Sequence, residues 1–412
     1  MDSHQPSLPQ GINPASLAVQ PQRTWKLGQR AAQAALVFLL CVGGFLSLFP
    51  SGRALTRGAF LLPALLSASE TAPLALAGDG VRFKRLTLYP NTSRTVYLDI
   101  YEPTTPPPSF PGGREAIVDV PGAGDNRAVP QLVNLSQSLA REGIVVVNVG
   151  TPTLFDYRVS AQDGEAVVHA FKLMEHWPGV DPQRIGMITF SVGSLSTYVA
   201  TADPRIRDRV AFVGVLGGYA DGMSLLRAVG TRAQDVNGRM QPWQPISTTL
   251  YVLNRTMSNL FSPADQRLLQ KAFPLETTLA PPLPARQQTQ LSSVAAAYYH
   301  LLEGDEPGSV NRNLATLSPP LKTPLNRLSP LSIMNQIRAP IHLLHDRNDP
   351  AIPFTQAQEM AATLARLHHP YDLSAYSIFS HAEVQGNLTL QQKLGDGSRL
   401  LGVLTSILLV GS

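Results

Sequence analysis

Ser191 stands where an apolar run ends and a helical pattern begins. Ile185-Gly186-Met187-Ile188-Thr189-Phe190 has the length and composition of a buried strand, and Ser194 to Val199 reads as the first turns of a helix. A turn this sharp lifts a serine oxygen clear of the sheet's carboxyl edge. The N–H groups at the helix start then point toward negative charge developing beside it. Strand and helix approach closely at such a joint, so its neighbours must be small, and Gly193 meets that need. Thr189 occupies the place of the first glycine in the Gly-x-Ser-x-Gly pattern, which predicts a crowded elbow. The chemistry open to such a serine is attack on a carbonyl carbon; its plainer role is to cap the helix.

Other chemistries find less support. The 412 residues carry 33 Lys and Arg against 29 Asp and Glu, a net charge of +4, and the cations are scattered rather than clustered. Phosphate binding needs clustered cations, so no nucleic-acid partner is expected. The His, Cys and carboxylate spacings of a zinc site are absent from the sequence. Cys41 is the single cysteine, so no intrachain disulfide can form and the fold must rest on its core. With 44% hydrophobic residues the chain can build one large domain with an insertion, or two domains.

The elements that must position the serine follow from periodicity. VRFKRLTLY and RTVYLDIYEP alternate around Pro90-Asn91-Thr92-Ser93 and read as a hairpin. Beyond a proline-rich loop, apolar strands at 116–120, 143–148, 185–190 and 210–216 alternate with helices at 131–141 and 164–177. That alternation implies a mostly parallel sheet covered on both faces. It stops near Tyr219. Residues 220–335 are polar, proline-rich and helical in patches, with no obvious strand. It resumes with a strand at 340–344, a helix at 355–367, a strand at 371–379 and an apolar helix near 400–410.

The stretch GEAVVHAFKLMEHWPGVDPQRIGMITFSVGSLS resembles the approach to the nucleophile in α/β-hydrolases, specifically the esterase, dienelactone-hydrolase and prolyl-oligopeptidase-like branch. The resemblance covers residues 81–219 and 336–385. It implies an α/β-hydrolase fold: a mostly parallel twisted sheet with helices on both faces. The loop Pro121-Gly122-Ala123-Gly124 takes the place of the family's His-Gly-Gly-like loop, with proline where histidine is common. The resemblance then makes the Ala123 and Val192 N–H groups the oxyanion donors, with Gly122 permitting the close approach. PIHLLHDRNDPAIPF resembles the family's His-Gly-x-x-Asp-x-x-Val-Pro segment, with His345 at the histidine position and Asp346 replacing the glycine. Asp349 is thereby the expected triad acid and Asp346 its rival. His381, on a loop 32 residues beyond Asp349, is the expected base, and the order Ser, Asp, His is the superfamily's. His169, His176, His342, His345, His368 and His369 lie on helices or strands and fit that role less well.

The expected activity is hydrolysis of carboxylic esters through an acyl-enzyme, without metal or organic cofactor. A prolyl-oligopeptidase-type serine peptidase is the alternative within the same chemistry. An inactive, membrane-anchored binding protein on a hydrolase frame is the alternative from another class. Residues 220–335 would form a lid over Ser191 that shapes the substrate pocket, with Tyr251, Leu253, Leu260, Phe261, Tyr298 and Tyr299 as apolar candidates. Residues 1–30 form a polar N-terminus, largely disordered, and 31–50 an apolar run with cations on both sides. At roughly 1.5 Å per residue that run spans about 30 Å, the thickness of a bilayer core. The expected organisation is a single-pass signal-anchor at 31–50, a linker at 51–79, a hydrolase core at 80–219 and 336–412, and a helical insertion at 220–335. The catalytic domain would be extracytoplasmic, or secreted if cleavage follows Ala75-Leu76-Ala77. Four Asn-x-Ser/Thr triplets start at Asn91, Asn134, Asn254 and Asn387.

Overall fold

Alternating apolar residues between 81 and 103 pair as a hairpin. β1 (Val81–Asn91) runs antiparallel to β2 (Arg94–Pro103), with Leu86 opposite Leu98, and Val96, Leu98 and Ile100 turn inward to full burial. The computed structural model describes residues 21–66, 78–91, 94–107, 112–275, 283–304, 306–317, 319–381, 383–384 and 389–410. Asn387 and the Ala75-Leu76-Ala77 site lie outside the described residues, as do the first 20 residues and positions 67–77 of the expected linker.

The short apolar runs become β3 (Arg114–Val120), β4 (Val145–Gly150), β5 (Val180–Phe190) and β6 (Val210–Leu216). After the insertion come β9 (Ile341–Asp346) and β10 (Tyr371–Tyr376), with the insertion's own β7 (Ala233–Val236) and β8 (Arg239–Pro242) between. The main sheet has eight strands in the order β1-β2-β4-β3-β5-β6-β9-β10. β2 is antiparallel to both neighbours and the rest are parallel. The strands buried on both faces are the ones that read as continuous apolar runs.

Two helical layers cover the sheet. The helices of the chain include α1 (Pro21–Leu48), α2 (Pro50–Leu65), α3 (Pro130–Arg141), α4 (Gly164–Glu175), α5 (Ser194–Ala202), α6 (Gly222–Thr231), α7 (Ser247–Met257), α8 (Ser293–Glu303), α9 (Thr355–Arg366) and α10 (Leu390–Val410). Val118 and Val120 of β3 face α4, α5 and α9, where Phe171, Met174, Tyr198 and Leu364 are buried. Ile117, just before them in the strand, faces the opposite layer of α2, α3 and α10. Each large side chain so buried contributes on the order of 2 kcal/mol.

Several details differ from the sequence-based expectation. Residues 50–65 are helical, not linker, because Ala54 and Leu61 find burial against partners such as Leu400 and Val403, far along the chain. The last helix starts at Leu390, ten residues before its apolar stretch. The insertion contains a strand pair, β7 and β8, where none was expected. Its turn is Asn237-Gly238, both at positive φ (56° and 77°), the two-residue turn that suits the twist of a hairpin. The insertion carries its own core, centred on α6 and α8 with Leu226, Val229, Tyr298 and Leu302 fully buried. Asn134 and Asn254 are buried, and their side-chain amides donate to the carbonyls of Ala64 and Leu269.

Contacts divide the chain into two units, Met1–Arg53 and Ala54–Ser412. In the first, α1 exposes Leu36, Val37, Phe38, Leu39 and Leu40. Among the described residues no single helix is long and apolar enough to cross a membrane; Ala35–Leu48 and Pro50–Leu65 pass that test only as a pair.

Candidate active site

Ser191 follows directly on β5, and its backbone is forced to φ 55°, a left-handed conformation rare for a residue with a side chain. Strain of this kind costs on the order of 1–3 kcal/mol and persists only where the surroundings impose it. They do so here. A single 3-10 turn, Ser191–Gly193, joins β5 to α5, with Val192 and Gly193 at its start. A Cβ on Gly193 would lie 2.5 Å from the Pro121 carbonyl oxygen and 2.8 Å from that of Val120, so only glycine fits. Thr189, expected to crowd the elbow, is fully buried and ties it to β3 instead: its hydroxyl donates to the Val120 carbonyl at 3.0 Å.

The loop after β3 lies against the serine. A Cβ on Gly122 would come within 3.0 Å of Ser191 Cβ, so this glycine permits the approach. Asn126 holds the loop's shape, because its side-chain amide donates to the carbonyls of Gly122 (3.1 Å) and Ala123 (3.0 Å). With those carbonyls turned back toward Asn126, the loop is fixed beside the serine. Sequence reasoning missed Asn126, since no short motif marks it.

The acid segment leaves β9 at Asp346. Asp349 is buried, and each of its oxygens is engaged. Oδ1 accepts the N–H groups of Ala351 (2.7 Å) and Ile352 (2.9 Å), and Oδ2 meets His381 Nδ1 at 2.8 Å. Burial by itself would raise the pKa of this carboxyl. The hydrogen bond and charge of His381, then His345 and the Ile352 amide, outweigh burial and hold it below its ordinary value. Asp346, the rival, turns elsewhere: one oxygen accepts the Asn348 N–H at 2.7 Å, and burial pushes its pKa up to about 6. His345 is buried behind the acid loop, and burial lowers its pKa. Its Nε2 donates to the Ile352 carbonyl at 2.9 Å and lies 3.6 Å from Asp349 Oδ2.

His381 sits at φ 61° in the turn after a two-residue strand, Phe379–Ser380. With Nδ1 hydrogen-bonded to the carboxylate, its other ring nitrogen is free to face the cavity that Ser191 also lines. No hydrogen bond joins the Ser191 hydroxyl to His381, so this link of the series is open in the structure. Such contacts often tighten only when substrate binds.

The cavity has a volume of about 400 Å³, within the ~300–1,000 Å³ typical of small-molecule sites. Ser191, Val192, Gly122, Ala123 and His381 all line it, and among the described residues its wall holds no Asp, Glu, Lys or Arg. The polar side chains in the wall are mostly engaged within the protein: Tyr219 donates to the Leu328 carbonyl and Thr249 to that of Ala351. Of the six apolar candidates in the insertion, only Leu253 lines the cavity. Tyr298 and Tyr299 are buried in the insertion's core, Phe261 packs on Tyr298, Tyr251 packs edge-on against Tyr157, and Leu260 is exposed.

The insertion also grips the acid loop, which the sequence did not suggest. Trp243 Nε1 donates to the Asp349 carbonyl at 2.7 Å, Thr249 to that of Ala351 at 2.8 Å, and the Ile246 N–H to that of Pro350 at 3.0 Å. Among the described residues, no group of three or more His, Cys, Asp and Glu side chains could hold a metal ion. Chemically, the arrangement can take a proton from a hydroxyl, hold the resulting imidazolium against a buried carboxylate, and offer N–H groups to an oxyanion.

No protein-family model and no curated protein sequence matches the chain. Solved structures do. The chain is similar to a Mycobacterium tuberculosis puromycin-hydrolyzing peptidase at 18% identity and a TM-score of 0.43, over 78% of this chain and 38% of that one. It is similar to Porphyromonas gingivalis dipeptidyl peptidase 4 at 12% identity and a TM-score of 0.43, over 79% of this chain and 36% of that one. A 2,6-dihydroxy-pseudo-oxynicotine hydrolase matches at 14% identity and a TM-score of 0.42, over 81% of this chain and 70% of that one. The chain thus spans well under half the length of either peptidase.

Proposed function

We propose that this chain, an α/β-hydrolase by its fold, is a serine hydrolase that passes an uncharged acyl group from an ester to water. The observation that carries the proposal is a strained serine and a carboxylate-bound histidine lining one cavity whose described residues include no Asp, Glu, Lys or Arg. His381 removes the proton of Ser191, and the serine attacks the carbonyl carbon. The Val192 and Ala123 N–H groups receive the oxyanion; one donor of this kind typically contributes about 3–4 kcal/mol. Asp349 fixes the imidazole with Nδ1 protonated and stabilises its cation. His381 then gives the proton to the leaving alcohol, and water repeats the cycle on the acyl-enzyme.

The uncharged wall favours esters of apolar acids over substrates with a free α-amine or carboxylate, for which it offers no counter-ion. Peptide-bond cleavage, the activity for which several structural neighbours are named, uses the same groups and is the alternative to separate by assay. A fluorophosphonate probe is expected to label the wild-type chain and to leave Ser191→Ala unlabelled. Turnover of p-nitrophenyl esters without turnover of prolyl-peptide amides supports the esterase; the reverse supports the peptidase. Equal labelling of wild type and Ser191→Ala overturns both.

The apolar run 31–50 is further proposed as a single-pass membrane anchor that leaves the catalytic unit outside the cytoplasm. The exposed apolar side chains of α1 support this. Carbonate extraction and protease accessibility of the full chain test it. Release of the uncleaved chain by carbonate rules the anchor out, and a processed chain in the medium means secretion.

A further inference from the structure

The cavity beside Ser191 has two walls drawn from separate stretches of the chain. One consists of Leu132 and Leu135 of α3 with Ala64 and Leu65 of α2; the other includes Val252, Leu253 and Met257 of α7. The first wall belongs to the oxyanion loop's side. That loop passes through the short turn Asn126–Ala128 straight into α3, so the first turns of α3 border the amides that would face a carbonyl oxygen. α2 is fastened behind α3 by the Asn134 side chain, which donates to the Ala64 carbonyl at 3.1 Å. The second wall is fastened to the acid loop by Thr249 and Ile246, and the acid loop in turn holds His381.

This division sorts the two halves of an ester. A leaving group must lie against the imidazole that protonates it. It therefore lies toward the insertion. The acyl remainder extends from the opposite side of the carbonyl carbon, along α3 toward α2. Beyond Asn126 and Gln131 at the start of that path, its side chains are aliphatic, and none of the described ones is charged.

We propose that this arm is an acyl-chain site whose far end is α2, so that Ala64 and Leu65 set the length of aliphatic chain accepted. The proposal rests on the serine-hydrolase reading. The end wall thus comes from a helix that precedes the first strand of the sheet and lies outside the segments that carry the resemblance to known hydrolases.

The test is a series of p-nitrophenyl esters from acetate to dodecanoate, with kcat/KM measured for the wild-type chain, Leu65→Trp, Leu65→Ala and Val252→Trp. Each methylene lodged in the arm is worth up to about fourfold in kcat/KM. The profile is expected to rise with chain length and fall once the arm is full. Leu65→Trp moves the maximum to shorter esters, and Leu65→Ala moves it to longer ones. Opposite shifts cannot come from a general loss of folding. Val252→Trp, across the cavity, leaves the maximum where it was. The proposal is overturned if the maximum stays fixed in both Leu65 variants, or if Val252→Trp moves it. A wild-type chain that neither turns over esters nor takes the fluorophosphonate label overturns the hydrolase reading first, and the acyl assignment with it.

Discussion

Replacing Asp349 by asparagine tests the site through one proton. Oδ1 of Asp349 already accepts two backbone N–H groups, from Ala351 and Ile352. An asparagine must keep its carbonyl oxygen there, since turning the amide around would set an NH2 against two N–H donors. The NH2 then occupies the place of Oδ2 and points at His381 Nδ1. To accept that donor, Nδ1 must give up its hydrogen, and the neutral ring carries its proton on Nε2. That nitrogen is the one needed to receive the proton of Ser191. The imidazole is held in place but in the wrong tautomer, and the imidazolium loses its carboxylate. Substitutions of this kind cost about 10³–10⁴-fold in kcat, or roughly 4–5 kcal/mol of transition-state stabilisation. Stability should change by only about 1–2 kcal/mol, because the amide still accepts both backbone bonds. The assay is kcat on a p-nitrophenyl ester with active sites counted by fluorophosphonate, beside urea unfolding of the same protein. A variant within tenfold of wild type refutes the role given to Asp349. An equal loss in Asp346→Asn would show that the choice between the two aspartates is wrong.

Two further outcomes follow from the site and its surroundings. Gly193→Ala places a methyl against two backbone carbonyls that cannot move aside, so it should cost about 1–3 kcal/mol in urea unfolding and abolish labelling of Ser191; a wild-type midpoint would mean that the elbow is looser than described. Asp346 has its pKa raised by burial to about 6, so the folded chain keeps a proton that the unfolded chain has already released. Its contribution therefore favours folding at low pH and is lost as pH rises from about 4 through 6, by something on the order of 1 kcal/mol. Asp346→Asn should flatten that part of the profile, gaining stability relative to wild type at pH 8 but not at pH 4; parallel profiles refute the shift.

The sheet was legible because its buried strands are short apolar runs, and Ile185 to Phe190 followed by small residues is a local signal of a strand-to-helix joint. Other features were not local. α2 looks like linker until Ala54 and Leu61 meet α10, which is more than 300 residues away in sequence. Asn126 and Trp243 act through backbone carbonyls, and nothing in a side chain's neighbours in sequence reveals which carbonyl it will reach. The β7–β8 turn carries Asn-Gly, a strong hairpin signal, but its flanking runs are only four residues long and weakly apolar, too little for periodicity to mark as strands. Tyr298 and Tyr299 show the converse limit. Aromatic residues in an insertion can serve either its core or a substrate, and composition does not distinguish the two.

The three hydrogen bonds from the insertion to the segment 349–351 tie the loop that carries Asp349 to the insertion. A cover that merely rests on a site can swing away and leave the machinery intact. Here the covering segment is a brace, and removing it would free the carbonyl of Asp349 from Trp243 and slacken the very residue that steadies the imidazole. Deletion of 220–335 should therefore yield an unassembled centre rather than an unobstructed one. In the nascent chain, reactivity at Ser191 would come last, after both the core and the brace have closed on each other. On the proposed hydrolase reading, the serine would thereby stay unreactive until the protein around it is finished.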